Sequence, residues 1–232
     1  MTVNNWKNDE ELFGFIRNEL YTAVVGDIMD KMGLIHQFLP PQIRPLKEKM
    51  MLVGRAMPVL EADCFEELSP DSQNPLMNKA FGLMLEALDD IKPGEVYICS
   101  GSSPSYALVG ELMLTRVKMC GGVGAVVNGY SRDTHGIYDV GLPVFSYGPY
   151  SQDQAPRGKV MDFRVPIEMN GVRIEPGDIV FGDIDGVCVV PKSAENEVFC
   201  KALEKARGER TVLKAIQGGM GAVEAWNKYQ IM

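Results

Sequence analysis

The sequence predicts a single-domain layered α/β protein, either an α+β fold or an α/β/β sandwich. Helical patterns come early, short apolar strand patterns dominate the later half, and one long helical pattern closes the chain. No low-complexity segment and no clean boundary separates these parts. We therefore expect one domain over residues 1–232, with a helical tail over about 195–232.

The first half of the chain contains three helical patterns and two strand patterns. The helices show apolar residues three and four positions apart, and the strands are short apolar runs. Thr22 and Asn74 are residue types that cap helices, and Pro75 suits a first helical turn. The predicted helices are Asp9–Leu20, Ala23–Met32 and Pro75–Leu88, and the predicted strands are Met51–Leu60 and Val96–Ser100.

Short strands dominate the second half. Asn170-Gly171 between two apolar runs is a strong hairpin signal. The final helix is predicted over Ala194–Ile216, with Gly218-Gly219 at its end. The predicted strands are Val123–Val127, Pro143–Tyr147, Val160–Met169, Val172–Ile174, Asp178–Gly182 and Val187–Val190.

The composition argues against several classes of function. The net charge of −8 disfavours a nucleic-acid partner, because such proteins usually present a basic face. The five cysteines are scattered without a C-x-x-C pair, as expected for reduced thiols in a cytoplasmic protein. No signal-peptide core and no apolar run of membrane-spanning length is seen, so no membrane association is expected.

The stretch Gly110–Asp133 is the centre of the functional prediction. It reads as a helix, a glycine turn, a buried strand and a loop that ends in Arg132-Asp133. A strand that leads into charged residues is a common way for α/β folds to present a site. Glu111 lies near the helix start, so it meets Arg132-Asp133 if helix and strand pack antiparallel. The predicted apolar face of this helix is Leu112, Met113, Val117 and Met119.

A metal site in this chain is expected to use carboxylates. The only histidines are His36 and His135, which excludes a three-histidine zinc site within one chain. Carboxylate and water ligands favour magnesium or manganese. For Asp183 and Asp185, the turn chemistry of Asp-x-Asp-Gly is the preferred explanation. The candidate ligands are Glu111, Asp133, Asp183, Asp185 and a tail glutamate such as Glu209.

Other motifs carry weaker signals. Gly101-Ser102-Ser103 precedes a predicted helix and suggests an anion site, but it lacks the lysine of a P-loop. A serine hydrolase is disfavoured because no G-x-S-x-G elbow is present. His135 is either an aid to proton transfer or an ordinary loop residue, and the sequence leaves both open.

The central stretch resembles the RraA-like family, which includes 4-hydroxy-4-methyl-2-oxoglutarate aldolases and the regulator of RNase E activity. The family's helix opens with Gly-Glu-Leu, as Gly110-Glu111-Leu112 does. Its aldolases carry an acidic residue, twenty spacer residues and then Arg-Asp, which matches Glu111 and Arg132-Asp133. The departures are Cys64–Asn74 and Thr134-His135, which bear on substrate choice. Further landmarks are Thr22-Ala23 with Asp27, Ile43-Arg44-Pro45-Leu46, Gly54-x-Ala56, Gly94 and Gly182-Asp183-x-Asp185-Gly186-Val187.

The resemblance implies an α/β/β sandwich like the swivelling phosphohistidine domain, assembled as a homotrimer or homohexamer. It implies Mg²⁺ or Mn²⁺, with Asp133 as direct ligand and Glu111 holding metal-bound waters. Glu209 of a neighbouring subunit's tail is assigned to complete this shell through water. The substrate's pyruvate portion is expected on the helix that Gly110 opens. Its contacts would be the backbone N–H groups of Leu112 and Met113 and the side chain of Arg132.

The function expected from this resemblance is that of a class II, metal-dependent aldolase. It would cleave 4-hydroxy-4-methyl-2-oxoglutarate-like 2-oxo acids to pyruvate, with oxaloacetate decarboxylation as a side activity, through Arg132, Glu111 and Asp133. One alternative is a non-enzymatic regulator that binds a ribonuclease or another protein. The family's regulator lacks the Arg-Asp pair that this chain keeps. Another alternative is a Schiff-base aldolase that uses Lys118.

Overall fold

The computed structural model describes residues 6–64 and 72–231. They fall into two compact units: a helical unit that joins Met1–Ile35 with Ser193–Met232, and a sheet unit over His36–Lys192. Strands and helices are mixed, as the predicted α/β class requires. The single-domain assignment and the likeness to a phosphohistidine domain stay predictions. Most of the segment Cys64–Asn74, at residues 65–71, lies outside the described part.

The described residues form seven α-helices and twelve strands. The helices are α1 (Asp9–Glu19), α2 (Thr22–Lys31), α3 (Met84–Asp90), α4 (Glu111–Met119), α5 (Thr134–Val140), α6 (Glu195–Gln217) and α7 (Ala222–Tyr229). The first strands are β1 (Arg44–Pro45), β2 (Leu52–Asp63), β3 (Glu95–Ser100), β4 (Ala107–Val109), β5 (Gly124–Val127) and β6 (Tyr130–Ser131). The later strands are β7 (Val144–Ser146), β8 (Gly158–Phe163), β9 (Ile167–Met169), β10 (Val172–Ile174), β11 (Ile179–Asp183) and β12 (Gly186–Val190).

In the helical unit, α1 and α2 pack against the long helix α6. Asn8 caps α1, because its side chain accepts a hydrogen bond from the Glu11 N–H at 2.9 Å. The prediction that Thr22 caps α2 is wrong: Thr22 is the first helical residue, and Tyr21 precedes it. Helix α7 lies in the helical tail predicted over about 195–232, but it was not predicted as a separate helix. In the described ranges, no helix combines the length and the apolar character needed to cross a membrane.

The main sheet of the sheet unit has the order β1-β7-β5-β3-β2-β11-β12, with β8 also paired to β2. The central pairs β2–β3, β3–β5 and β5–β7 are parallel, and the outer pairs are antiparallel. The two ends of this order come close together. Leu39 donates to the Val187 carbonyl of β12 at 2.9 Å, only a few residues before the chain enters β1. The sheet is therefore nearly closed.

Strand β3 shows why both faces of the sheet are buried. Tyr97 and Cys99 point into one apolar core, and Val96 and Ile98 point into the other. Alternate residues of a strand face opposite sides, so a strand covered on both sides reads as a continuous apolar run. This explains why the strand at 96–100 was recognisable from sequence.

The hairpin β9–β10 confirms the Asn170-Gly171 signal. Both residues have a left-handed backbone, with φ of 52° and 87°, as a type I′ turn requires. The single long strand predicted before this turn is wrong. It divides into β8 and β9 at Arg164, whose φ is 56° and whose guanidinium binds Glu95 at 2.7 and 2.9 Å.

The continuous helix predicted from Pro75 to Leu88 is also wrong. Asn74 does cap a short 3-10 turn, accepting from the Leu76 N–H at 3.0 Å. The chain then bends at Gly82, where φ is 62°, and α3 begins only afterwards. A Cβ at Gly82 would lie 2.1 Å from the Val160 carbonyl oxygen, so close contact with β8 interrupts the helix.

Candidate active site

Arg132 and Asp133 meet Gly110 because two short strands run side by side. Strands β4 and β6 are parallel, and the Arg132 N–H donates to the Val109 carbonyl at 3.0 Å. Both strands end at the same edge, where Gly110 follows β4 and Arg132 follows β6. A Cβ at Gly110 would lie 2.6 Å from the Asp133 carboxylate, so only glycine leaves room for that side chain.

Asp133 turns the chain from β6 into α5. It has a left-handed backbone, φ 58° and ψ 40°, at the residue before the helix. Aspartate and asparagine tolerate this conformation better than other side chains do. The Asp133 carboxylate stays about half exposed beside Gly110. A carboxylate with open oxygens at this position is available to a ligand.

Arg132 is held between two carboxylates. One of its terminal nitrogens lies 3.0 Å from Asp153 Oδ1, and its Nε lies 3.7 Å from Asp133 Oδ2. Its side chain is 36% exposed, so the guanidinium faces solvent while its direction is fixed. The guanidinium stays charged at all relevant pH values. It therefore offers a fixed positive charge at the edge where β4 and β6 end.

Glu111 lies in the first turn of α4 and reaches over α5. A Cβ at Gly136 would lie 2.1 Å from Glu111 Oε2, so the carboxylate occupies the space that Gly136 leaves free. The apolar face predicted for α4 is wrong in part. Leu112 and Met119 are 82% and 74% exposed, whereas Val117 is buried as predicted, and Leu114 is buried with it.

A cavity of about 470 Å³ opens next to Arg132 and Asp133. The first N–H groups of a helix have no acceptor within the helix, and the first turn of α4 borders this cavity. A smaller cavity of about 250 Å³ also borders Arg132 and Asp133. The lining of the larger cavity consists of Phe81, Met84, Leu85, Leu88, Asp89, Ala107, Val109, Gly110, Leu112, Met113, Arg116, Arg132, Asp133, Asp153 and Gln154.

Glu209 lies on α6, in the helical unit. Its carboxylate accepts hydrogen bonds from Lys205 and from the Tyr21 hydroxyl. Burial, with a contribution from Glu209, raises the pKa of Tyr21 to about 12. The role assigned to Glu209 in a neighbouring subunit's site stays a prediction.

The turn chemistry proposed for Asp183 and Asp185 is confirmed. Asp183 is buried, and its carboxylate accepts from the Asp185 N–H at 2.9 Å. Among residues 6–64 and 72–231, no group of three or more His, Cys, Asp or Glu side chains is placed to hold a metal ion. A metal near Asp133 would therefore depend on few protein ligands and on water.

The structure argues against two other roles that the sequence suggested, an anion site at Gly101-Ser102-Ser103 and a Schiff base at Lys118. The loop at Gly101-Ser102-Ser103 leads into β4 rather than a helix, and the Ser103 N–H donates to Asp63 at 3.0 Å. It is therefore not an anion site at a helix start. Lys118 is exposed and donates to the Val140 carbonyl, so it lacks the apolar surroundings that activate a Schiff-base lysine. His135 is also exposed, in the first turn of α5.

Asp153 is a site residue that the sequence reasoning missed. It belongs to a polar loop without a motif, and its partner Arg132 lies 21 positions earlier. The loop reaches the site because the Ala107 N–H donates to the Gln152 carbonyl at 2.8 Å. Since β4 was itself not predicted, no signal in the sequence placed this loop there.

Comparison with known proteins supports a family assignment. The family model described as RraA-like (Aldolase/RraA) matches residues 22–189, which include Glu111, Arg132, Asp133 and Asp153 but not Glu209. A protein of Halalkalibacterium halodurans named "Putative 4-hydroxy-4-methyl-2-oxoglutarate aldolase" is 31% identical over 206 residues. This alignment covers 88% of this chain and 89% of the relative.

Two crystal structures show the same fold at lower identity. An uncharacterized protein from Pseudomonas syringae pv. tomato has a TM-score of 0.81 and 24% identity, and each chain is covered to 99%. Streptomyces coelicolor RraAS2 is described as an unusual member of the RNase ES inhibitor RraA protein family. It has a TM-score of 0.74 and 23% identity, over 89% of this chain and 98% of that one. Because the family model matches residues 22–189 and a 31% identical relative aligns over most of both chains, this chain belongs to the RraA-like family.

Proposed function

We propose that this protein is a metal-dependent pyruvate aldolase that cleaves 4-hydroxy-2-oxo acids such as 4-hydroxy-4-methyl-2-oxoglutarate. The main observation is that the ends of β4 and β6 place Arg132 and Asp133 beside the first turn of α4, at a cavity of about 470 Å³. The name of the H. halodurans relative points to the same reaction.

The chain's own groups suit the pyruvate part of such a substrate. The N–H groups of Leu112 and Met113, in the first turn of α4, are donors for its carboxylate. Arg132, fixed by Asp153 at 3.0 Å, stabilises the negative charge that develops on the former carbonyl oxygen. When the C3–C4 bond breaks, its electron pair stays on the pyruvate fragment. The C4 hydroxyl loses its proton and becomes the carbonyl group of the other product, and C3 then takes up a proton.

The donor set around Asp133 suits a hard divalent cation. Asp133 and Glu111 offer carboxylate oxygens, which Mg²⁺ and Mn²⁺ prefer. Mg²⁺ usually keeps several waters, so the lack of three clustered ligands in the described chain fits direct binding by Asp133 and water-mediated binding by Glu111. In a homotrimer or homohexamer, Glu209 of a neighbouring subunit would bind through water. A bound cation supplies Lewis-acid stabilisation of the developing negative charge.

The first test is release of pyruvate from 4-hydroxy-4-methyl-2-oxoglutarate and from oxaloacetate, measured with Mg²⁺ and then with excess EDTA. We expect pyruvate from both, because cleavage of the first and decarboxylation of the second leave the same fragment. Chelation should stop both reactions. Absence of pyruvate from these two substrates and from other 4-hydroxy-2-oxo acids, with folded, metal-supplied protein, would overturn the proposal and favour the alternative of a protein-binding regulator.

The variant Gly136→Ala tests the position of Glu111 without changing its charge. The added Cβ would lie 2.1 Å from Glu111 Oε2, so this exposed side chain must turn away. We expect a fall in kcat/KM on the order of tenfold. Stability should be unchanged or slightly higher, because alanine favours a helix by up to about 1 kcal/mol over glycine.

Glu111→Gln is the matched comparison for Gly136→Ala. It keeps the position of the side chain and removes its charge, so it should also lower kcat/KM. Full activity in Gly136→Ala, with a normal unfolding temperature, would show that the placement of Glu111 over α5 does not matter for turnover.

A further inference from the structure

The larger cavity has a charged part and an apolar part. The charged part lies at the ends of β4 and β6, around Arg132, Asp133 and Asp153. Most of the apolar part comes from α3 and α4, which pack against each other beside the site. The large apolar side chains in the lining are Phe81, Met84, Leu85, Leu88, Leu112 and Met113.

Two of the apolar side chains at this cavity are largely open to solvent. Leu112 is 82% exposed and Leu85 is 57% exposed. Apolar surface that a ligand removes from water contributes to binding in proportion to its area. Small-molecule sites commonly combine such apolar walls with a few placed polar groups. An apolar part of a substrate bound at Arg132 would therefore gain affinity here.

The charges of the cavity disfavour a second carboxylate on the substrate. Three aspartates and two arginines line it. Arg116 lies at the apolar part, and its Nε already binds Asp89 Oδ1 at 2.7 Å. Arg132 is engaged by Asp153 and is needed for the pyruvate part. A second carboxylate at Arg116 would lie close to the negative charge of Asp89, whereas an alkyl or aryl group displaces only water.

We propose that the preferred substrates are 4-hydroxy-2-oxo acids that carry an apolar alkyl or aryl group, rather than a carboxylate, on C4. This inference rests on the proposed aldolase function and concerns the same site. The pyruvate part lies at Arg132 and the first turn of α4, and the C4 substituent lies on Leu85, Met84 and Leu112. Cleavage of the C3–C4 bond then releases pyruvate and an apolar aldehyde or ketone, with no further reactant.

The test compares kcat/KM for pyruvate release from two pairs of substrates. The apolar pair is 4-hydroxy-2-oxoheptanoate and 4-hydroxy-2-oxo-4-phenylbutanoate. The dicarboxylate pair is 4-hydroxy-2-oxoglutarate and 4-hydroxy-4-methyl-2-oxoglutarate. We expect the apolar pair to be favoured on the order of tenfold or more, the range that an apolar pocket typically provides.

A charge introduced at Leu85 should shift this preference. Leu85→Lys places a cation among the apolar residues of the cavity, so the ratio should move towards the dicarboxylates on the order of tenfold. Leu213→Lys is the matched control. Leu213 is 55% exposed on α6 and does not line this cavity, so the ratio should stay at the wild-type value.

The outcomes separate the two proposals. Equal or better turnover of the dicarboxylates, or an unchanged ratio in Leu85→Lys, overturns the substrate inference and leaves the aldolase function standing. Pyruvate from none of the four substrates overturns the aldolase function, and the inference falls with it.

Discussion

Arg132→Ala is expected to lower kcat/KM for pyruvate release by a factor on the order of 10²–10³, the usual effect of removing a group that stabilises a developing oxyanion. The protein should stay folded. The side chains of Asp133 and Asp153 are 45% and 44% exposed, so water can solvate them when the guanidinium is gone. The measurements are steady-state kinetics and thermal unfolding on the same preparations.

Two further variants serve as comparisons for Arg132→Ala. Arg132→Lys keeps the charge but loses the planar fork of donors, so its activity should lie between wild type and alanine. Arg173→Ala removes an arginine with a 71% exposed side chain that pairs with Glu175 far from the site, and it should behave like wild type. Unchanged turnover in folded Arg132→Ala would remove this side chain from the mechanism.

Glu61→Gln is expected to cause the largest change in how the free energy of unfolding depends on pH. Glu61 lies on β2 and is 1% exposed. Its Oε2 accepts from the Cys99 thiol at 3.5 Å, and its Oε1 has no hydrogen-bond partner within the described residues. Burial, together with the charge of Asp63, raises the pKa of Glu61 to about 8. The tyrosines Tyr97 and Tyr106 face the same site, and burial raises their pKa as well.

The sign of the pH effect follows from this shift. At pH 5–7 the Glu61 carboxyl is protonated in the folded protein and ionised in the unfolded chain, whose ordinary pKa is 4.5. The stability linked to this proton is complete below pH 4.5 and is lost as the pH rises to about 8. The loss amounts to roughly 5 kcal/mol, at about 1.4 kcal/mol for each pKa unit.

Denaturant unfolding at pH 5.5 and pH 8.5 measures this effect. The free energy of unfolding of Glu61→Gln should fall less over this range than that of the wild type, by several kcal/mol. Glu224→Gln, a change at an exposed glutamate on α7, should follow the wild type. Titrating groups that do not interact with Glu61 contribute equally to all three proteins and cancel in the comparison. Parallel curves for Glu61→Gln and the wild type would show that Glu61 is ionised in the folded state.

The sequence was informative where the local pattern and the tertiary environment agree. Both residues of the Asn170-Gly171 turn adopt the left-handed backbone that the turn requires. Of the spaced motif of Glu111 and Arg132-Asp133, the structure brings Asp133 against Gly110, the residue before Glu111. The roles of this motif in catalysis and metal binding stay predictions.

The misses come from long-range contacts that no local pattern encodes. Gly82 breaks a helical pattern because β8 approaches its backbone. The helical apolar pattern assigns Leu112 to the core, yet its side chain is exposed at a cavity. Asp153 reaches Arg132 only because its loop runs beside the three-residue strand β4. A three-residue strand gives almost no sequence pattern, so β4 was not predicted. Without β4, the position of the loop that contains Asp153 could not be predicted either.

The near-closure of the main sheet limits how this protein can join other chains. An open sheet edge presents unpaired N–H and C=O groups, which promotes aggregation and strand addition by peptides. Here β12 is bonded by the chain around Gln37–Leu39, and the Arg44 side chain of β1 binds the Asp185 carbonyl. The β12 end of the strand order is thus paired from within, and the Arg44 side chain links the β1 end to the turn between β11 and β12. At β12, a partner protein would have to recognise side chains, because this edge is already paired.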